Sequence, residues 1–205
     1  MSAPAPADGA TRAVGSVTIE PLDLERDLGL LHAWVTHPRS VFWLMQGASL
    51  DDVRREYGAI VDSEHHDAWL GRVDGRPAFL AETYDPARSD LAPHHDTRPG
   101  DLGMHVLVAP PVRPVHGFTA AVFAAVVRHC LAQTTADGHP VERVVVEPDA
   151  GNTAIHALNA RAGFTVLREV GLPQKRALLS VCTREQFERS ELGAPPDRDP
   201  TGDPA

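Results

Sequence analysis

The stretch from residue 144 to residue 164, VVVEPDAGNTAIHALNARAGF, restricts the possible fold more than any other part of the chain. Its apolar start, 144–146, predicts a buried strand, and a turn leads from there into a short helix predicted over 152–161. Gly163 fits the left-handed position that follows a helix, and Phe164 begins the next strand by burying its ring. A strand, a helix and a strand in immediate succession are typical of helices layered on a sheet.

Further strands and helices are predicted around that unit. Asp23 and Ser49 are N-cap candidates for two helices after the first strand, and Asp74-Gly75 between two alternating runs predicts a tight hairpin. Residues 85–101 have many turn formers and predict a long loop. Expected strands are 16–19, 68–73, 77–83, 102–108, 141–146, 165–170 and 176–182, and expected helices run from 23 to near 37, 49–61, 117–133, 152–161 and 184–189. This order predicts an α/β (mixed α+β) fold, with a central mixed twisted sheet flanked by helices.

Length and charge limit the number of domains and the class of partner. With 205 residues and 42% hydrophobic content, the chain is long enough for one well-packed domain. That domain is expected over 16–191, because the Ala-, Pro-, Gly- and Asp-rich ends, 1–15 and 192–205, are predicted to be disordered tails. Lys and Arg total 19 against 28 Asp and Glu, a formal charge of -9. This balance argues against a nucleic-acid partner but allows a local basic pocket for one anionic ligand.

The remaining composition indicates a cytoplasmic protein. Cys130 and Cys182 lie far apart in apolar settings and are expected to be buried free thiols. No apolar run approaches a membrane span, and the first residues lack the apolar stretch of a signal peptide, so no membrane partner is expected. The histidine doublets at 65–66 and 94–95 lack the partner spacing of a metal site, so no metal is expected. The sequence contains no Walker loop or Rossmann fingerprint.

The order of elements and the 144–164 stretch together resemble the GCN5-related N-acetyltransferase (GNAT) superfamily. Its late motif is an Asn at the start of a short helix, usually a Tyr seven residues later, and a Gly-Phe pair at eleven and twelve. Asn152, Asn159, Gly163 and Phe164 occupy those positions here. The resemblance implies a GNAT-type acyl-CoA N-acyltransferase fold. Asn159 departs from the pattern, since an amide does not titrate and cannot protonate a departing thiolate as the tyrosine does.

Other motifs narrow the resemblance to the siderophore-biosynthesis branch, the hydroxamate-forming acyltransferases of the aerobactin, mycobactin and desferrioxamine type. The ordered set consists of 37–38, 42–45, 103–105, 109–111, 147–149, Asn159 and 172–177. It implies direct acyl transfer from acetyl-CoA or succinyl-CoA to the hydroxylamino nitrogen of N-hydroxylysine, N-hydroxyornithine or N-hydroxycadaverine, by a monomer or a dimer. The alternatives are acetylation of another amine, an aminoglycoside or a protein N-terminus, and a non-catalytic acyl-CoA sensor.

The resemblance also assigns residues to coenzyme A. The central strand is expected to hold the pantetheine arm through its backbone, and the following loop and helix start to hold the pyrophosphate, since helix N–H groups and the helix dipole favour an anion. The usual Gln or Arg followed by two glycines is reduced here to Arg113, His116 and Gly117. The residues assigned to coenzyme A are Leu107, Val108, Ala109, Arg113, His116, Gly117, Phe118, Thr119, Asn152 and Asn159.

His105 on the central strand is the first candidate for the base that takes a proton from the tetrahedral intermediate, since a histidine near its ordinary pKa accepts a proton at neutral pH. Asp149 is expected either to orient His105 or to bind the hydroxylamino group. The alternatives are a histidine that satisfies a backbone group and an aspartate that caps the next helix. A hydroxylamine nitrogen is far less basic than an alkyl amine, so it needs less assistance, which fits the missing tyrosine.

Four residues are candidates for the acceptor site. Glu147 faces the same side as Asp149 by strand alternation, so the two carboxylates are suited to an ammonium group. His37 and Trp43 are candidate walls for a methylene chain, and Lys175 is a candidate partner of a substrate or acyl carboxylate. The alternatives are solvated carboxylates, a core tryptophan and a surface lysine.

Overall fold

The computed structural model describes residues 15–111 and 113–194. Its strands are β1 (Val17–Pro21), β2 (His66–Val73), β3 (Arg76–Tyr84), β4 (Asp101–Val108), β5 (Arg143–Val146), β6 (Thr165–Leu172) and β7 (Lys175–Thr183). Its α-helices are α1 (Leu24–Val35), α2 (Leu50–Val61), α3 (Phe118–Leu131), α4 (Thr153–Arg161) and α5 (Arg184–Glu188). The predicted tails lie almost entirely outside the described residues, so they and the domain bounds stay predictions.

The strands form one sheet in the order β1-β2-β3-β4-β5-β7-β6. Neighbours are antiparallel except β4 and β5, which are parallel. The predicted mixed sheet flanked by helices is therefore confirmed. The predicted β2–β3 hairpin is present as well, and its turn residues Asp74 and Gly75 both have positive φ, 49° and 74°, as a two-residue hairpin turn requires.

The two faces of the sheet bury separate apolar cores. Along β3, Phe79 packs toward α3 on one face, while Leu80 packs toward α1 and α2 on the other. Helices α4 and α5 add Leu158 and Phe187 to the α3 side. Since side chains alternate along a strand, the residues of β3 and β4 that share a face with Leu80 continue from the α1–α2 core into the gap beyond it.

Local signals fix most helix ends. The Asp23 side chain accepts a hydrogen bond from the Arg26 N–H, and Ser49 begins α2 with a reciprocal capping box, so both predicted N-caps are confirmed. Helix α1 ends at Val35, and a 3-10 helix, Pro38–Trp43, follows. The sequence analysis did not predict this short helix, which places Trp43 beside the sheet.

The parallel pairing of β4 and β5 is short. Residues 101–103 of β4 pair with residues 143–145 of β5, whereas β4 pairs with β3 from Gly103 to Val108. Within the described residues, β4 beyond Gly103 therefore has a strand partner on one side only. The other side of the strand faces a gap between β4 and β5, and residue 147 lies at its edge.

The remaining expectations concern thiols, membranes and metals. Cys130 and Cys182 are free and buried, as predicted, and burial raises the pKa of each thiol to about 12. Neither is therefore a ready nucleophile. No helix within residues 15–111 and 113–194 is long and apolar enough to cross a membrane. Those residues also contain no group of three or more His, Cys, Asp or Glu side chains arranged to hold a metal ion.

Candidate active site

His105 lies on β4 just beyond the point where β4 and β5 part. Glu82 is its cross-strand partner on β3, and its Oε2 lies 3.0 Å from His105 Nδ1. Glu147 follows the last residue of β5, and its Oε1 lies 2.5 Å from His105 Nε2. Both glutamates are buried, whereas the His105 side chain is 34% exposed. The imidazole is thus held between two carboxylates and remains open toward the gap.

A second layer of polar side chains donates hydrogen bonds to the other oxygen of each glutamate. The Tyr84 hydroxyl donates to Glu147 Oε2 at 2.5 Å, and the Tyr57 hydroxyl donates to Glu82 Oε1 at 2.8 Å. Trp43 in turn donates its indole N–H to the Tyr57 oxygen at 2.9 Å. In each glutamate one oxygen therefore faces His105 and the other accepts from a phenol.

Two further basic side chains lie at the edge of this network. Lys175 Nζ is 3.5 Å from Glu147 Oε1, and His66 Nε2 is 3.6 Å from Glu82 Oε2. Lys175 is largely buried, with 18% of its side chain exposed. The predicted partner of a substrate carboxylate thus contacts a protein carboxylate in the free chain.

Contacts within the network shift the pKa values of its titratable side chains. Burial alone would lower the pKa of His105, but Glu147 and Glu82 outweigh it and raise the pKa to about 10. Burial would raise the pKa of Glu147 and of Glu82, but His105, together with Lys175 and Tyr84 at Glu147 and with His66 at Glu82, outweighs it and lowers each pKa to about 2. Burial and the neighbouring carboxylates raise the pKa of Tyr57 and Tyr84 well above the usual value. At neutral pH the centre therefore holds an imidazolium between two carboxylates.

A cleft of about 800 Å³ opens beside the network. The predicted site residues that line it are Trp43, His105, Leu107, Glu147, Asn152, Asn159 and Lys175. His37 and Asp149 serve local turns instead. His37 Nδ1 accepts from the Arg39 N–H at 3.1 Å, and Asp149 Oδ1 accepts from the Gly151 N–H at 2.7 Å. The structure thus brings Glu147 rather than Asp149 to His105, and acceptor binding by Asp149 or His37 stays a prediction.

Of the residues assigned to coenzyme A, Leu107, Asn152 and Asn159 line the cleft, and the others lie at the end of β4 and at the start of α3. Leu107, Val108 and Ala109 lie on and just after the half-paired end of β4. Gly117 precedes α3 with φ 77°, and no side chain caps this helix. An uncapped helix start is suited to an anion, and only glycine adopts this backbone readily. Phe118 and Thr119 form the first turn of α3, and Arg113 and His116 are exposed in the loop before it.

Asn159 is the one predicted site residue with an unpaired buried side chain in the described part of the chain. It is 4% exposed, and neither its Oδ1 nor its Nδ2 has a hydrogen-bond partner. The side chain lines the cleft. Because an unpaired buried amide is costly, this one is suited to a ligand that both accepts and donates.

Sequence reasoning missed Glu82, Tyr84, Tyr57 and His66 as parts of the site. A signal existed for Glu82, since it is the one charged residue in the buried part of β3, residues 78–84, AFLAETY. A charged side chain in a buried strand needs a partner. Tyr57 lies on the buried face of α2 with Val53 and Ile60, where an apolar pattern predicts only packing, and its hydroxyl contacts Glu82, 25 positions farther along the chain.

Comparison with known proteins identifies the family. The family described as acetyltransferase (GNAT) domain matches residues 23–172, well over half of the chain. An N-hydroxyputrescine acetyltransferase from Acinetobacter baumannii is 27% identical over 84% of this chain and 80% of that protein. A lysine N-acyltransferase, MbtK, from a Mycobacterium species is 25% identical over 90% of this chain and 70% of that protein. An aminoglycoside N(6')-acetyltransferase type 1 from Klebsiella pneumoniae is 25% identical over 88% and 89%.

A solved structure shares the fold described above. The structure of AAC(6')-Ib in complex with ribostamycin and coenzyme A superposes with a TM-score of 0.71 at 24% identity, covering 85% of this chain and 97% of that chain. This likeness concerns the arrangement of the elements, while the family match rests on the sequence itself. The chain belongs to the GNAT acetyltransferase family, whose members transfer an acyl group from an acyl-CoA to an acceptor.

Proposed function

We propose that this chain acylates the hydroxylamino nitrogen of a small N-hydroxylated diamine or diamino acid, with acetyl-CoA or succinyl-CoA as donor, to form a hydroxamate. N-hydroxycadaverine, N-hydroxylysine and N-hydroxyornithine are the acceptors considered. Relatives named N-hydroxyputrescine acetyltransferase and lysine N-acyltransferase support this class. A hydroxamate chelates iron through two oxygens, so the product suits siderophore biosynthesis and iron acquisition.

The charge state of His105 carries the proposal. Its two carboxylate neighbours hold it as an imidazolium at neutral pH, and those carboxylates are weak bases with a pKa of about 2 each. Such a centre is poorly suited to removing a proton from an alkylammonium, whose pKa is close to that of lysine. A hydroxylamine nitrogen is already neutral at this pH. An acceptor whose nitrogen is already unprotonated therefore suits this site, because no strong base is needed to deprotonate it before it attacks.

The half-paired end of β4 and the start of α3 support the acyl-CoA part of the proposal. Backbone N–H groups beyond Gly103 line the gap, where they would stabilise the oxyanion that forms on the thioester carbonyl. The uncapped start of α3 and Arg113 would face the phosphates. Asn159, which lines the cleft, would offer its unpaired amide to the same ligand.

Matched pairs of acceptors test the proposal. Thiol release from acetyl-CoA and succinyl-CoA is measured with N-hydroxycadaverine against cadaverine, and with the N-hydroxy forms of lysine and ornithine against the parent amino acids. We expect kcat/KM for the N-hydroxy member to exceed that of the amine on the order of a hundredfold or more. The product is expected to give the coloured iron(III) complex of a hydroxamate, which an O-acyl product does not form. Equal rates with both members would contradict the proposal.

A second candidate is acetylation of an aminoglycoside amine. The relative from Klebsiella pneumoniae favours it, as do Glu56, Asp85 and Asp90, three carboxylates along the cleft that suit a polycation. An aminoglycoside is therefore included in the same assay. If it turns over while every hydroxylamine fails, this second function replaces the first. If no acceptor turns over although acetyl-CoA binds, a non-catalytic acyl-CoA sensor remains.

A further inference from the structure

We propose that Glu82 is a positioning residue that keeps both ring nitrogens of His105 protonated, so that His105 is the acid that protonates the leaving thiolate while Glu147 takes the proton of the attacking nitrogen. The identity of the reaction rests on the proposed function. The division of roles rests on the contacts of Glu82, His105 and Glu147, and it reverses the role of base that the sequence suggested for His105.

The protonation of the His105 ring follows from the number of hydrogen-bond donors it needs. Nδ1 faces Glu82 at 3.0 Å and Nε2 faces Glu147 at 2.5 Å. An ionised carboxylate only accepts, and a neutral imidazole has a single N–H to donate. Both contacts are hydrogen bonds only when the ring carries two protons or when one carboxyl is protonated. Either way, Glu82, His105 and Glu147 together hold one proton more than a neutral histidine between two carboxylates.

Glu82 lies on the Nδ1 side of the His105 ring. Its side chain is 8% exposed, and both oxygens are occupied within the protein, by Tyr57 and by His105. Trp43 fixes the Tyr57 oxygen from the other side. Glu82 contacts Nδ1, whereas Glu147 contacts Nε2, the nitrogen that gives its proton to sulfur. Glu82 therefore acts on the reaction through His105, which is why we describe it as a positioning residue.

Titratable side chains surround the His105 ring from every element packed against it. β3 supplies Glu82 and Tyr84, β2 supplies His66, α2 supplies Tyr57, β7 supplies Lys175, and Glu147 follows β5. The phenols stay protonated, because burial and the carboxylates raise their pKa values. Two carboxylates then face one imidazolium and one ammonium. The negative and positive charges around the ring therefore nearly balance, and this arrangement favours a protonated His105.

The leaving thiolate needs an acid to protonate it. The family's usual tyrosine is Asn159 here, and an amide cannot supply a proton to sulfur. Asn159 and His105 line the same cleft. The Nδ2–H of Asn159 can hydrogen-bond the thioester, while the proton itself must come from a titratable group. His105 is the charged acid in that cleft nearest the parting of β4 and β5.

The proton transfers balance over one turnover. The nitrogen lone pair forms the new C–N bond, and Glu147 takes the N–H proton. The C–S bond breaks, its electron pair goes to sulfur, and His105 Nε2 gives sulfur a proton. Glu147 is then protonated and His105 is neutral, and transfer across their 2.5 Å contact restores the starting state.

The protonation state of His105 can be measured directly. Nitrogen-15 NMR of the histidine side chains in the free protein is expected to show both ring nitrogens of His105 protonated at pH 8. Glu82→Gln removes one negative neighbour, so it is expected to lower the pKa of His105 by about one unit or more. The same shift is expected in the alkaline limb of the kcat/KM profile, because an acid must be protonated to act. Glu64→Gln, an exposed change of the same type, is expected to leave both unchanged.

Each outcome decides the inference. If His105 of the unaltered protein titrates near the ordinary histidine pKa, the inference is overturned whether or not a hydroxamate forms. If Glu82→Gln lowers activity equally at every pH without moving the limb, Glu82 has only a structural role and the inference is again overturned. A failure of every hydroxylamine acceptor sinks the proposed function but leaves the NMR result on the free protein, which needs no acceptor. Even if Glu82→Gln does not fold, the NMR measurement on the unaltered protein still decides the central claim.

Discussion

At the residue scale, we expect Asn159 to couple the stability of the free protein to ligand binding. Its amide is buried and unpaired on both atoms, and such a group costs about 1–3 kcal/mol of folding free energy. Natural proteins keep a cost of this kind where a site needs the group. The side chain faces the cleft, so the missing partner is expected to be the acyl-CoA.

Asn159→Leu keeps the branching of the side chain at Cγ and removes both unpaired atoms. We expect the free energy of unfolding to rise by about 1 kcal/mol, because no buried amide is left unsatisfied. We expect kcat/KM with acyl-CoA to fall roughly tenfold or more, which is the worth of one lost hydrogen bond. Chemical denaturation and steady-state kinetics measure the two effects. Lower stability with full activity would show that the amide has a partner within the protein.

The same scale shows why part of the site was predictable from the sequence. Strand alternation assigns Glu147 to the cleft side, whereas His105 and Asn159 were singled out by the family resemblance. The alternation does not extend to Asp149, which lies farther past the end of β5 and bonds to the Gly151 N–H. Glu82 lies beside His105 because of the register of β3 against β4. A single sequence does not give that register.

At the element scale, the β3–β4 pairing depends on a glycine. Tyr84 is the cross-strand partner of Gly103, and a Cβ at Gly103 would lie 2.3 Å from atoms of the Tyr84 ring. The ring therefore occupies the space that a side chain would need. This close approach points the Tyr84 hydroxyl at Glu147.

Gly103→Ala is expected to move the Tyr84 ring and to break its contact with Glu147. We expect a loss of about 1–3 kcal/mol in the free energy of unfolding, typical of overpacking, and a clear loss of activity. Gly171→Ala on β6 is the matched control, since nothing lies within 4 Å of a Cβ there. If both variants unfold at the same denaturant concentration and are equally active, the positioning of Tyr84 by Gly103 is wrong.

Elements with strong local signals were predicted well. The β2–β3 hairpin has its Asp-Gly turn, and α1 and α2 have their capping side chains. The 3-10 helix Pro38–Trp43 was missed because it is short and lacks a periodic apolar pattern. It ends at Leu44 in a left-handed conformation, φ 62°, which is unusual for leucine. The sequence offers no signal for that turn.

At the scale of the whole molecule, the sheet has two parts that meet at a short junction. β1 to β4 form one run of paired strands, and β5, β7 and β6 form the other. Three residue pairs between β4 and β5 join them. A ligand that fills the gap beyond Gly103 would contact both parts, and binding to the folded state alone raises stability by mass action.

Hydrogen exchange with and without acetyl-CoA tests where the donor binds. We expect slower exchange in β4 beyond Gly103 and in the first turn of α3, because their N–H groups gain acceptors or lose access to water. The β1–β2 pairing, at the far edge of the sheet, serves as the internal control and is expected to change little. Arg113→Ala is expected to weaken the protection at α3 more than that at β4, since it removes a charge near the phosphates alone. Protection confined to the 3-10 helix and α2, with none in β4, would place the donor outside the gap between β4 and β5.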